Sequence, residues 1–342
     1  MKKRRGYVYL AIALTLLAIV AAFIFRGSEE QQEIGTVKFG IATYREDDTF
    51  ISNMMGSLTE IASSYEEEFG VRLNLGIVHA QNSQSTQNDQ IARFISLGYD
   101  VLCVNLVDRT NALYIIDRAM EANIPVVFFN REPVQEDLGK WDRLYYVGTD
   151  ASENGRLEGQ IIADAYHRDP GSIDKNGDGI IQYIMIEGEV RHQDAVLRTE
   201  GSVQAIRDAG IAVEKLDGGI ASWERHTAAA LAEQYFEKYG DQIEVVICNN
   251  DDMALGVIDM VERLELDFSN IVGIDGTPAG REAIRDGKML GTVVIDYEAQ
   301  AQLIFDIAYA LATGVDPHEV ADVREDQSAR APMYVITAQD YN

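Results

Sequence analysis

"VLCVNLVDRTNALYIIDRAMEANIPVVFFN", residues 101–130, holds the unit from which the rest of the chain is built. Two short, almost wholly apolar runs, VLCVNLV and IPVVFFN, flank a segment whose apolar residues fall at helical spacing. A strand with one wet face alternates apolar and polar side chains; these runs do not, so each is expected to be covered on both faces. Strands of that kind separated by helices imply a parallel sheet. The unit recurs in both directions. VKFGIATY, RLNLGIVHA and LYYVG complete a first set before residue 150. IQYIMIEG, VEKLDGG, EVVICNN, IVGIDG and LGTVVI form a second set between residues 181 and 295, with helices such as 251–264 and 278–287 between them. The expected fold is α/β, with two doubly wound parallel-sheet lobes.

The N-terminus is of another kind. KKRR at 2–5 precedes an apolar run from Tyr7 to Phe25, followed by Arg26. Residues 1–27 therefore read as an export signal or a membrane anchor, and the residues leave both open. The basic end stays in the cytoplasm, which places everything after Arg26 outside the membrane, and the localisation expected is extracytoplasmic. No cysteine follows the apolar run closely, so a lipid-modified N-terminus is not supported. Residues 28–36 form a short polar tether. Five of the 29 basic residues lie in the leader, leaving 24 against 56 acidic ones and a net charge of −32 outside. That excludes nucleic acid as a partner. Cys103 and Cys248 each sit inside an apolar strand-like run and are expected to be buried and unpaired.

In doubly wound sheets ligands bind beyond the carboxyl ends of the strands. The residues that follow those ends include Asp48, Phe50 and Asn130 in the first half and His192, Asp194, Arg198, Trp223, Asn250 and Asp275 in the second. Each Asp or Asn alone could be a helix cap. Together they are planar, bidentate hydrogen-bonding groups with two aromatics, and no nucleophile sits beside a base. The set suits binding rather than catalysis, and a sugar is the natural ligand. Hydroxyls both donate and accept, Arg can donate twice, and aromatic faces cover the apolar C–H patches of a pyranose.

DKNGDGIIQ, residues 174–182, starts like a calcium loop. Asp174, Asn176, Asp178, the carbonyl of Ile180 and Gln182 occupy the first five ligand places, with Gly179 at the turn. Position 12, where a bidentate Glu would stand, is Met185, too soft for a hard cation. Either the site is dead or its last carboxylate comes from elsewhere.

IATYREDDTF, QNSQSTQNDQ, VNLVD, PVVFFNREP, YYVGTD, DKNGDGIIQ, GEVRHQDAVLR, EVVICNNDDMALG and GIDGTP together resemble the bacterial galactose/glucose-binding proteins, in unbroken order from about Val37 to the C-terminus. The resemblance implies a type I periplasmic-binding-protein fold whose chain crosses between lobes three times, making a three-segment hinge. It divides the chain into an N-terminal lobe of 37–146 plus about 296–330 and a C-terminal lobe of 147–295 plus about 331–342. It places sugar contacts at Asp48, Asn130, His192, Asp194, Arg198, Asn250 and Asp275, and stacking aromatics at Phe50 and Trp223. It also supplies the missing calcium ligand, Glu244 in IEVVICNN, for a structural Ca2+ site. The implied protein is a monomeric sugar receptor of an ABC-transporter permease; a tethered sensor for a histidine kinase or chemoreceptor is the alternative. One position departs from the pattern. Where the family has a sugar-contacting Asn, this chain has Ile295, which can neither donate nor accept.

Overall fold

The computed structural model describes residues 35–190 and 192–341. The signal or anchor segment, residues 1–27, and most of the tether lie outside these residues. Among the described residues no helix is long and apolar enough to cross a membrane.

Two six-stranded sheets organise the molecule. The first contains β1 (Val37–Thr43), β2 (Leu73–His79), β3 (Val101–Val104), β4 (Val126–Phe129), β5 (Leu144–Gly148) and, late in the chain, β11 (Ser328–Arg330), in the order β11-β5-β4-β3-β1-β2. The second contains β6 (Ile180–Glu187), β7 (Ala212–Ile220), β8 (Val245–Cys248), β9 (Ile271–Asp275), β10 (Gly291–Ile295) and β12 (Met333–Thr337), in the order β12-β10-β9-β8-β6-β7. All residues of β3, β4, β5, β8, β9 and β10 are buried, as unalternating apolar runs require. Cys103 and Cys248 lie within β3 and β8, buried and free of disulfides.

One strand breaks the parallel rule. β12 pairs antiparallel with β10, Ile295 opposite Met333 and Gly291 opposite Thr337. Its sequence neighbour β11, the edge strand of the other sheet, ends at Arg330, only two residues before it. The chain passes straight from one sheet to the edge of the other.

The chain changes lobe at three places that lie side by side. Ala331 N–H donates to Gly148 O at 2.9 Å and Asp296 N–H to Pro332 O at 3.2 Å, so the segments after β5, β10 and β11 form one hinge. After the second crossing the helix Tyr297–Thr313 returns to the first lobe. It starts on the Asp296 cap and packs Phe305 against Phe39, Tyr65 and Tyr309, with ring centroids 5.7, 5.1 and 5.9 Å apart. Phe305 is 1% exposed, and its replacement by Ala would cost roughly 3–5 kcal/mol.

Candidate ligand-binding site

Helix starts aim the polar groups of the site. Asp48 caps the helix Thr49–Phe69 by accepting from Ile51 N–H at 2.8 Å, and its other carboxylate oxygen accepts from Tyr44 Oη at 2.5 Å. Asn250 caps the helix Asp251–Arg263, accepting from Met253 N–H at 3.0 Å. His192 caps the helix Gln193–Asp208 through Nδ1, which accepts from Asp194 N–H at 3.2 Å. The cap reading and the binding reading are thus compatible: at Asn250 and His192 the cap uses one polar atom and leaves a second, the Asn250 amide nitrogen or the His192 Nε2–H, for another partner.

Phe50, Asp194 and Arg198 project from the first turns of the helices Thr49–Phe69 and Gln193–Asp208, and three others come from strand ends or the loops after them at a conformational cost. Asn130, Trp223 and Asp275 have φ values of 61°, 68° and 123°, where side chains other than glycine are strained. Asn130 is held by Tyr146 Oη, which donates to its carbonyl at 2.9 Å, and by Asn105 Nδ2, which donates to its side-chain oxygen at 3.0 Å. These bonds keep the Asn130 amide nitrogen free to donate.

The nine residues predicted to contact a ligand all line one cavity between the lobes, with about 360 Å³ of atom-free space, part of it open to solvent. Asp48, Phe50 and Asn130 come from the first lobe; His192, Asp194, Arg198, Trp223, Asn250 and Asp275 come from the second. Tyr44, Ile51 and Arg131 complete the lining and were not anticipated from the sequence. The same strand-end rule could have found Tyr44, which closes VKFGIATY, and Arg131, which follows Asn130. Ile295 is not part of the wall. It is 2% exposed and belongs to an apolar cluster with Val293, Ile304 and Phe305.

Arg198 is the electrostatic centre. Its guanidinium donates to Asn249 O at 2.8 Å and stands 3.7 Å from Asp194 and 3.8 Å from Asp275, while its Nε is buried without a hydrogen-bond partner. Desolvation raises the carboxyls of Asp194 and Asp275 above the usual range, opposed in both by Arg198. His192 is pushed well below its ordinary value of 6.5 by desolvation and then by Arg131, Arg198 and Arg109. The imidazole is neutral, with Nδ1 accepting, so Nε2 carries the proton. Its ring meets the Trp223 indole edge-on, centroids 5.1 Å apart.

Polar contacts join the lobes around this cavity. Arg131 Nη2 donates to Glu189 at 2.7 Å, Thr49 Oγ1 donates to Asp252 at 2.6 Å, and Arg45 pairs with Glu224. Arg131 also lies 3.6 Å over the Tyr44 ring. These contacts hold the lobes together, and among the described residues no general acid, base and nucleophile are assembled between them.

The calcium-like loop lies on the second lobe, where β6 begins. Buried Glu244 reaches it from the residue before β8: Oε1 accepts from Lys175 N–H at 2.6 Å and Asn176 N–H at 3.1 Å, and Oε2 from Gln182 N–H at 3.1 Å. Asn176 Nδ2 meets Gln182 Oε1 at 3.0 Å, and Gln182 Nε2 meets Asp178 Oδ2 at 3.0 Å, so these side chains converge. Among the described residues no three His, Cys, Asp or Glu side chains form a metal cluster by themselves. Carboxylates, side-chain amides and a backbone carbonyl are the group types a hard cation such as Ca2+ takes as ligands.

Residues 39–316 match the family described as periplasmic binding protein domain, and the chain belongs to that family. It is a family of solute-binding receptors, not of enzymes, as the composition of the site led us to expect. Among its relatives is the D-galactose/methyl-galactoside binding periplasmic protein MglB of Haemophilus influenzae, 34% identical over 300 residues that cover 87% of this chain and 88% of that one. The D-ribose/D-allose-binding protein of Pseudomonas aeruginosa is 28% identical, covering 81% and 82%. An ABC transporter solute binding protein from Bacillus halodurans, solved with bound myo-inositol, superposes with a TM-score of 0.73 at 28% identity over 91% of this chain and 97% of that one. The two-lobed type I fold expected from the sequence is therefore the fold of this protein.

Proposed function

We propose that the protein is an extracytoplasmic receptor for a neutral hexose of the glucose or galactose kind, which it delivers to the permease of an ABC transporter. One observation carries the reading: an interlobe cavity lined by Asp48, Asn130, Asp194, Arg198, Asn250 and Asp275 together with the aromatics Phe50 and Trp223. Carboxylates, amides and a guanidinium are matched to hydroxyls, which donate and accept, and the aromatics to the C–H faces of a ring. Related sugar and polyol receptors point to the same ligand class. Closure would work by contact with both lobes at once, since a ligand held by both favours the closed state over the open one.

In this reading Ca2+ would be held by Asp174, Asn176, Asp178, the Ile180 carbonyl, Gln182 and Glu244. Bound there, it would tie the loop to the strand Val245–Cys248 and serve stability rather than chemistry. A tethered sensor that presents the same sugar to a membrane kinase or chemoreceptor is the second reading. It is favoured by the length of the apolar run Tyr7–Phe25 and by the lack of a cysteine directly following it. A permease and ATPase encoded beside this chain would support uptake, and a sensor kinase alone would support signalling.

Tryptophan fluorescence tests the placement of the ligand, because Trp141 and Trp223 are the two tryptophans of the chain. The change on adding hexose should persist in Trp141→Phe and vanish in Trp223→Phe. The reverse pattern would remove the sugar from this cavity.

A further inference from the structure

Behind the interlobe cavity stands an acid that takes no part in lining it. Glu158 belongs to the helix Ala151–Arg168, is 0% exposed, and has no hydrogen-bond partner on either carboxylate oxygen among the described residues. The packing beside it is tight. A Cβ on Gly155 would lie 2.5 Å from the Arg198 carbonyl oxygen, and one on Gly159 would lie 2.1 Å from that of Ser202, both on the helix Gln193–Asp208.

Three titratable groups face Glu158. Arg198 stands on that neighbouring helix, the Cys248 thiol on β8, and Asp251 at the start of the helix Asp251–Arg263. Of the other elements packed on its helix, β9 brings Asp275, which is turned to Arg198, and β12 brings Tyr334, which is exposed; β10 and the helix Pro170–Ile173 bring no titratable side chain. The neighbours one turn away on its own helix, Asn154 and Ile162, carry no charge.

The two carboxyls are unequally supported. Asp251 accepts from Thr292 Oγ1 at 2.6 Å and Thr277 N–H at 2.7 Å, bonds that favour its ionised form, and Glu158 accepts none. Burial pushes the Glu158 carboxyl well above its ordinary 4.5, opposed by Arg198 and reinforced by Asp251, while Asp251 is raised to about 7. A proton shared by this cluster therefore belongs on Glu158. Arg198 is the one cation facing it, and its buried Nε has no partner.

We propose that Glu158 is a proton-binding positioning residue behind the sugar site: protonated, it leaves the Arg198 guanidinium to the ligand, and ionised, it competes for that guanidinium, so that a proton and a hexose favour each other's binding. The inference rests on the hexose reading of the cavity and adds a control by pH.

Infrared spectroscopy on the full chain reads the proton directly, with Glu158→Gln as the reference. The wild type should show a protonated-carboxyl band at neutral pH that the variant lacks. Saturating hexose should move the midpoint at which the band disappears upward by about one pH unit, the counterpart of about tenfold in affinity. Calorimetry should agree: the two proteins bind hexose alike at low pH, and wild-type affinity falls relative to the variant as pH rises. Absence of the band, a midpoint that hexose leaves in place, or equal pH profiles in the two proteins would overturn the coupling. Denaturant unfolding checks the variant's fold and the proton together. Above the ordinary 4.5 the unfolded wild type releases a proton that the folded chain keeps, so its folding constant should fall relative to Glu158→Gln by up to about tenfold per pH unit. A difference that does not change with pH would overturn the protonated Glu158. Failure of hexose to bind at any pH would overturn the hexose reading, and the coupling with it.

Discussion

The Trp223 indole occupies the space in which a side chain on Gly188 would have to stand: a Cβ there would lie 2.2 Å from the ring's Cη2 and Cζ2. Gly188 follows β6 and its N–H donates to Asn249 Oδ1 at 3.1 Å, which fixes its backbone, so a side chain there must push the indole away. The missing methyl is what lets the aromatic lie against the strand end and face the cavity. Gly188→Ala should displace the indole and weaken hexose binding at least tenfold, about 1.4 kcal/mol, with the circular dichroism of the fold unchanged. Unaltered affinity in a folded variant would show that Trp223 does not contact the ligand.

His192 makes stability depend on pH. Its folded-state value is held well below 6.5, so the unfolded chain takes up a proton that the folded chain refuses. The contribution is intact above about pH 6.5 and is lost as pH falls toward the depressed folded value, with a slope of up to about 1.4 kcal/mol per pH unit. The difference in unfolding free energy between wild type and His192→Asn should therefore shift against the wild type between pH 6.5 and 5. A difference that stays constant over that range would mean the imidazole titrates normally in the folded protein.

Glu244 is the test of the metal. A ligand bound only to the folded state stabilises it by mass action, so chelation should lower the melting temperature and added Ca2+ restore it. Glu244→Gln should weaken Ca2+ more than it weakens hexose, because the carboxylate lies on the loop and not on the sugar cavity. Melting indifferent to both chelator and Ca2+ would refute the site.

Ile295 shows where reading a sequence stops. By position it stands for an absent amide, but the side chain is 2% exposed and packed in an apolar cluster at the end of β10. An amide there has no water to turn to, and Ile295→Asn should cost roughly 1–3 kcal/mol of stability. It should leave hexose affinity unchanged, which titration of the variant would check; tighter binding would place that side chain against the ligand after all.

Other residues were legible for identifiable reasons. The wholly buried strands announced themselves because burial on both faces removes alternation, as in VLCV and VVFF. Asp48, Asn250 and His192 could be located because strand ends that open helices need caps, and the same residues face the cleft. Arg131 and Tyr44 stand at strand ends and the same rule reaches them, but their roles, a guanidinium over a ring and a bridge to Glu189 across the cleft, have no local signal. The reversed direction of β12 escaped because no pattern within Met333–Thr337 distinguishes an antiparallel edge strand from a parallel one.

The central claim is that the interlobe cavity binds a hexose, and isothermal titration calorimetry with a panel of pentoses and hexoses tests it most directly. The account predicts a single site per chain that saturates with glucose or galactose, binds pentoses at least tenfold more weakly, and is lost in Arg198→Ala or Asp275→Ala. Absence of heat with every monosaccharide, or saturation that survives both substitutions, would contradict it.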